Sequence, residues 1–314
     1  MAAVRLHLQW KALTRHALER GQVSAANSAA SAFFVLLAVL PCTARSDWTL
    51  LTEAGVRHDD NVGNARSYSD IVADTTIGAR LSIFQLFPVA EGYSVTVGGG
   101  LSGESFHSLT GLNNASLDGV MALKKKWGVG AFAPWARAGI SVARTDYDGS
   151  YRNAWVYRAT LTSGRRIDER WNLWAEYALE RRAASPQMEE VPGVSGDAYS
   201  QNSQSVGAHL EYSLNGGVFL VLGLSARHGD VVSTAEGSEA ILAAARALAA
   251  DPTFGPEAYA YRLTGTTYGY RVGVNYSPTP HSVLGCGFER FDTRADGGIS
   301  YTKSIPEITW NYSF

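Results

Sequence analysis

Past residue 47 the apolar and polar positions of the chain alternate with a period of two. Segment 267–276 is the cleanest: Tyr268, Tyr270, Val272, Val274 and Tyr276 fall on one face, Thr267, Gly269, Arg271, Gly273 and Asn275 on the other. Segment 218–227 sets Val218, Leu220, Leu222, Leu224 and Ala226 against Val221, Gly223, Ser225 and Arg227. Segment 171–180 sets Trp171, Leu173, Ala175, Tyr177 and Leu179 against Asn172, Trp174, Glu176 and Glu180. Successive side chains of an extended backbone point to opposite faces, so this period predicts strands. Twelve are predicted, near 48–58, 71–87, 93–106, 115–126, 132–146, 153–165, 171–182, 200–213, 218–229, 266–277, 282–293 and 301–314. Many exceed ten residues, where strands of soluble sheets average about five or six.

The connections alternate in length. Long ones, such as 59–70, 183–199 and 230–265, follow odd-numbered segments; short ones, such as 88–92, 128–131, 215–217 and 278–281, follow even-numbered ones. Long loops on one rim and tight turns on the other predict an all-β fold, a transmembrane antiparallel β-barrel of about 12 strands. An even strand count puts both termini on the tight-turn rim, which in such barrels is periplasmic. Aromatic girdles are predicted from Trp48, Phe84, Phe87, Tyr93, Trp171, Tyr276 and Phe314 at one rim, and Tyr147, Tyr151, Trp155, Tyr268 and Tyr301 at the other.

Composition removes the competing classes. The chain is 46% hydrophobic with a net charge of -2, which excludes general disorder, and 27 Lys+Arg against 29 Asp+Glu speak against nucleic acid as a partner. The longest apolar run is Ala32–Leu40, short of the roughly 20 residues of a spanning helix. Arg5, Lys11, Arg15 and Arg20 precede that run and Pro41-Cys42-Thr43-Ala44 follows it, the pattern of a secretory signal peptide. The expected organisation is a signal peptide over 1–44 and one barrel domain over 45–314. Cys286 is then the one mature thiol, and no internal disulfide is expected.

The chain closes on Ile308-Thr309-Trp310-Asn311-Tyr312-Ser313-Phe314, alternating and ending in Phe. This resembles the terminal signature by which Gram-negative outer-membrane proteins are presented to the barrel-assembly machinery. Arg57-His58-Asp59-Asp60-Asn61-Val62 resembles the D-x-N-V strand exit of several porin-like families, among them the barrel of the surface lipoprotein assembly modifiers. These resemblances imply the bacterial outer membrane, with its lipids and the assembly machinery (through the Phe314 strand) as partners. They imply one of two functions: a porin-like channel for small solutes, or a sealed barrel that scaffolds or exports a surface cargo.

If the apolar parity meets lipid, the opposite parity lines the interior. The expected pore-lining residues are Arg57, Arg80, Glu104, Lys124, Arg137, Arg158, Glu176, Glu211, Arg227, Arg271 and Glu289, joined on the same parity by Glu53, Asp74, Asp118 and Glu180. Both signs are present, so ion pairs filling the lumen and charges edging a watery pore both remain open. About eight strands give a filled barrel and 16–18 a channel, and twelve lies between. Inward Gly98, Gly100, Gly269 and Gly273 leave room for a passage.

Ser238 to Ala250 is Ala-rich and stopped by Pro252, which predicts a short helix in the longest connection, either packed on the rim or folded into the mouth. Catalytic chemistry has one candidate, an omptin-like arrangement of Asp146 and Asp148 facing His228 and Asp230 across the mouth, although their order departs from that pattern. His107-Ser108 and His281-Ser282 are adjacent pairs, whose side chains diverge on a strand. Asp59-Asp60-Asn61 lacks the spacing of a calcium loop, His209 is expected to bond Glu211, and no cofactor motif is present. The chain is not expected to be an enzyme.

Overall fold

A computed structural model describes residues 48–214 and 216–314; the predicted signal peptide and its cleavage point lie outside the described residues. All twelve expected segments form strands. They are β1 (Trp48–Asp59), β2 (Asp74–Ala90), β3 (Tyr93–Phe106), β4 (Asn114–Lys126), β5 (Trp135–Tyr147), β6 (Ala154–Arg166), β7 (Trp171–Ala184), β8 (Gln201–Ser213) and β9 (Val218–Glu236), followed by β11 (Ala258–Thr279), β12 (Ser282–Ala295) and β13 (Ile299–Ser313). Each pairs antiparallel with its neighbour, and β1 pairs with both β2 and β13, through Leu51 opposite Ser313, so the sheet closes. Closure leaves no unpaired backbone along the wall, the condition for a sheet in hydrocarbon.

The apolar parity faces outward. Leu117, Ile140, Leu224 and Ile308 are 59–65% exposed, values that no soluble core would give. Cys286 is exposed on this face, between Leu284 and Phe288 in alternation. The described chain ends, β1 and β13, start and finish at the short-turn rim, with Phe314 N–H bonding Leu50 O. Two connections depart from the expected alternation: β12 joins β13 through only Asp296–Gly298 on the long-loop rim, and eight residues, 127–134, link β4 to β5. Both turn glycines, Gly297 and Gly298, have φ near +70°, which makes so tight a link possible.

The protein's buried core lies above the barrel rather than inside it. β9 and β11 continue past the rim, paired up to Glu236 opposite Ala258. A helix, α1 (Glu239–Leu242), then leads into β10 (Ala247–Ala250), which pairs with Tyr259–Arg262 of β11 above the level where β12 ends. The helix expected over 238–250 is therefore one turn. The protruding edge of β11 needs backbone partners, and pairing it outweighs alanine's helix propensity, worth well under about 1 kcal/mol per residue. The edge of β9 is covered by the β1–β2 connection: Thr234 N–H bonds Gly63 O, and Asn64 Nδ2 donates to Val232 O. Val231, Ala235, Ile241, Leu248, Tyr261, Leu263 and Ile299 pack between these elements as a dry cap core.

Candidate functional site: a charged lumen beneath a folded cap

The D-x-N-V exit explains how the first long connection is held. Asp59 takes the Asn61 N–H and the Lys303 ammonium, and Asp60 takes the Ser304 N–H. Asn61, 2% exposed, accepts from Ala65 N–H and donates to the carbonyls of Ala65 and Thr302. The loop is thus tied back to β13, and the oxygens that a calcium reading would need are occupied by protein donors. Asp74 does the same for the β3–β4 connection, accepting from the backbone N–H of Ser108 and Leu109. It is a buried loop anchor and not a charge in open lumen.

The cap's tip, Asp251-Pro252-Thr253-Phe254-Gly255, reaches over the mouth to loops on the far side. Asp251 is fully buried; it forms an ion pair with Arg152 of the β5–β6 connection and accepts from Tyr151 Oη at 3.2 Å and Thr234 Oγ1 at 3.0 Å. Tyr199, from the β7–β8 connection, lies under the Arg152 guanidinium at 4.7 Å, and Phe254 lies 5.7 Å from it. Thr253 rests on Gly111 of the β3–β4 connection so closely that a Cβ there would collide with its hydroxyl. Burial works against the Arg152 charge, but Asp251 overrides it and holds the guanidinium's pKa above its ordinary value. Burial pushes the Tyr199 phenol well above the ordinary range.

Within the barrel most of the expected pore residues meet as ion pairs. Arg57 meets Glu104 at 2.9 Å, and Arg80 meets Asp118 at 2.6 Å. Arg158 bridges Glu176 at 2.8 Å and Glu180 at 3.4 Å, and Arg271 bridges Glu289 at 3.0 Å and Glu307. Arg227 donates instead to the Asp230 carbonyl at 2.9 Å. Lys124 lies over the Trp135 ring at 4.8 Å and sits directly opposite Arg137 in the β4–β5 register. Glu211 stands opposite Asn172 and Val221, and Glu53 opposite Arg80. His209 does not turn to Glu211; its ring stacks on Trp174 at 5.2 Å.

Three of the four inward glycines have their space taken by neighbouring side chains, whereas Gly273 meets only the backbone of Cys286 and Gly287. Arg80 occupies the room at Gly100, Phe84 that at Gly98, and Ser225 with Phe291 that at Gly269. Phe84 therefore faces inward and leaves the predicted girdle. Tyr147, Tyr151 and Tyr301 leave it too, because they are drawn into the lumen, the cap and the upper wall, whereas Trp155 and Tyr268 stay exposed. Among the described residues two inner cavities are larger than the one of about 90 Å³ at Gly223 and Gly269. One of about 390 Å³ lies between Glu53, Arg57, Arg80, Glu104 and Glu307. The other, about 590 Å³, lies under the cap, walled by Arg57, Arg152, Arg182, Arg227, Glu180, Glu289 and Phe254.

Among solved structures the chain is similar to an outer-membrane channel from Pseudomonas putida F1, at 14% identity over 88% of this chain and all of that one, with a TM-score of 0.54. The fold the two share is a closed antiparallel β-barrel of the outer-membrane kind. The NanC porin (11% identity, 84% of this chain and 98% of that one, TM-score 0.44) and the DcaP channel of Acinetobacter baumannii (9%, 85% and 96%, 0.40) are more distant in shape. No protein-family profile matches the chain, and no curated protein matches it.

The barrel does not assemble the omptin-like arrangement. Asp146 pairs with Arg144, its neighbour on the outward parity of β5, and His228 bonds Thr266 on the outward parity of β9. Asp230 is buried against Asn202 N–H and Arg246. The two pairs thus belong to the outer surface and rim, not to opposite walls of a cleft. Sequence parity missed the residues that close the mouth, Arg152, Asp251, Tyr199 and Phe254, because parity has no meaning in a loop. The one signal that could have pointed to them was the Asp-Pro-Thr-Phe-Gly run itself, a turn carrying a buried-type aromatic.

Proposed function

We propose that the chain is a bacterial outer-membrane channel for small solutes, exported by its leader, with the short-turn rim periplasmic and the cap at the cell surface. The observation that carries this reading is the open space around the interior charges. Arg57, Arg80, Arg158 and Arg271 keep 39–43% of their side-chain surface exposed although they point into the barrel. Ion pairs that sealed a lumen would be dry, and burying charge without water carries a heavy desolvation penalty. The expected pore-lining set serves here as a hydrated wall whose pairs hold the barrel's shape. The terminal Phe314 strand supports delivery by the barrel-assembly machinery, and the exposed aliphatic belt supports outer-membrane lipids as surroundings. No step of catalysis and no cofactor enters this reading.

Reconstituted in planar bilayers, the purified barrel should give discrete conductance steps, larger and more frequent once the cap tip is loosened. The separately packed cap core favours one second reading, a sealed barrel displaying its cap to a surface cargo or export partner. Silence from both the intact and the cap-loosened barrel would sink the channel reading and leave that one.

A further inference from the structure

Among the described residues the lining of the chamber under the cap carries five cations, Arg57, Arg152, Arg182, Arg227 and Lys303, against three carboxylates. Asp59 is engaged by Lys303, Glu180 shares Arg158 with Glu176, and Glu289 shares Arg271 with Glu307. Of its cations, Arg57 and Arg152 are engaged by Glu104 and Asp251. Arg182 and Arg227 are not. Arg182 donates to the Arg152 carbonyl at 2.6 Å and Arg227 to the Asp230 carbonyl, and among the described residues neither forms an ion pair. Each guanidinium has five donors, so both keep most of theirs free toward the chamber. Beside them stand rings: Tyr147 lies 5.3 Å from the Arg182 guanidinium, and Phe254, Phe291 and Tyr199 share the wall. A volume of about 590 Å³ is within the range of small-molecule sites.

We propose that this chamber is a binding site for a small organic carboxylate with a planar apolar body, held by Arg182 and Arg227 against the aromatic wall. Guanidinium donors match a carboxylate, and the rings offer a face to the remainder of the molecule. The short-turn end of the lumen supports the same charge class. There Lys124 directly opposes Arg137, with Lys126 on the same face beyond it and no carboxylate paired to any of the three among the described residues. Like charges directly opposite one another destabilise a sheet, so their retention suits a solute that brings the missing charge. The inference deepens the channel reading and rests on it for the direction of transit only.

The test is calorimetric titration of the full barrel in neutral detergent with sodium benzoate at low salt, against empty micelles, with benzamide as the neutral probe. Saturable benzoate binding is expected, with benzamide at least tenfold weaker. Arg182→Gln and Arg227→Gln should each weaken benzoate at least tenfold, while Arg182→Lys retains part of the affinity; heat-modifiable gel migration verifies that each variant is folded. Equal binding of benzoate and benzamide, no benzoate binding at all, or Gln variants that bind like the parent would overturn the site. The readout needs no current, so the two readings fail separately. Conductance without benzoate binding refutes the site alone, and benzoate binding by a silent barrel refutes the channel alone.

Discussion

Asp251→Ala is the perturbation that bears most directly on the covered mouth. The Asp251 carboxylate is fully buried and the Arg152 side chain only 15% exposed, so solvent screens their attraction little. Removing one partner of such a pair leaves an uncompensated buried charge and costs about 3–5 kcal/mol. Tyr199 and Phe254 pack on the Arg152 guanidinium and limit how far it can move once Asp251 is gone. The cost falls on the tip and not on the whole barrel, because β9 and β11 keep their pairing and the cap core around Tyr261 and Leu263 keeps its packing. At about 1.4 kcal/mol per decade, the tip's opening equilibrium should rise by roughly two to three and a half decades. Amide hydrogen exchange reads this at Phe254 and Ala258, whose N–H groups bond Asp251 O and Gly255 O across the turn. Exchange there should accelerate by those decades, with amides of β5 and β6 unchanged and single-channel conductance raised. Asp251→Asn, which keeps one acceptor oxygen for Tyr151 but loses the charge and the second oxygen that takes Thr234 and Arg152, should fall between. If Phe254 and Ala258 exchange as slowly in Asp251→Ala as in the parent, the ion pair is not what holds the tip, and the latch reasoning is wrong.

Gly111→Ala approaches the same tip from the opposite loop: its Cβ would collide with the Thr253 hydroxyl, so conductance should rise as for Asp251→Ala without any charge being removed. Val272→Arg puts a cation on the outward face at a half-exposed position and should destabilise the barrel in liposomes by about 2–4 kcal/mol in urea titrations. Asn275→Arg, which puts the same cation on the inward face of the same strand, should cost less than that; the reverse order would mean that the two faces have been assigned the wrong way round. Tyr199 is buried neutral, with a folded-state pKa raised above the ordinary 10.0. Its contribution is therefore complete below about pH 10 and declines as pH rises beyond it, so tip exchange should quicken above pH 10 in the parent but not in Tyr199→Phe.

The sequence by itself determined the wall. Alternation in segments such as 267–276 is a local property of an extended chain, and a one-residue slip would put Arg137, Arg227 and Arg271 into hydrocarbon, so the parity had one stable solution. Strand number, the outward aliphatic belt and the inward charges were legible for that reason. The cap was not. Ala247–Ala250 carries strong helix propensity, yet it is a strand because β11 presents an unpaired edge there, a fact that exists only once β11 outruns β12. The meeting of Arg152 with Asp251 joins residues 99 positions apart from two loops, where neither parity nor spacing constrains direction. Nor could the sequence say that Arg57, Arg80, Arg158 and Arg271 are neutralised while Arg182 and Arg227 are not. Which charge meets which is set by the register and curvature of the closed sheet, so the chamber's surplus of cations was decided by tertiary structure alone.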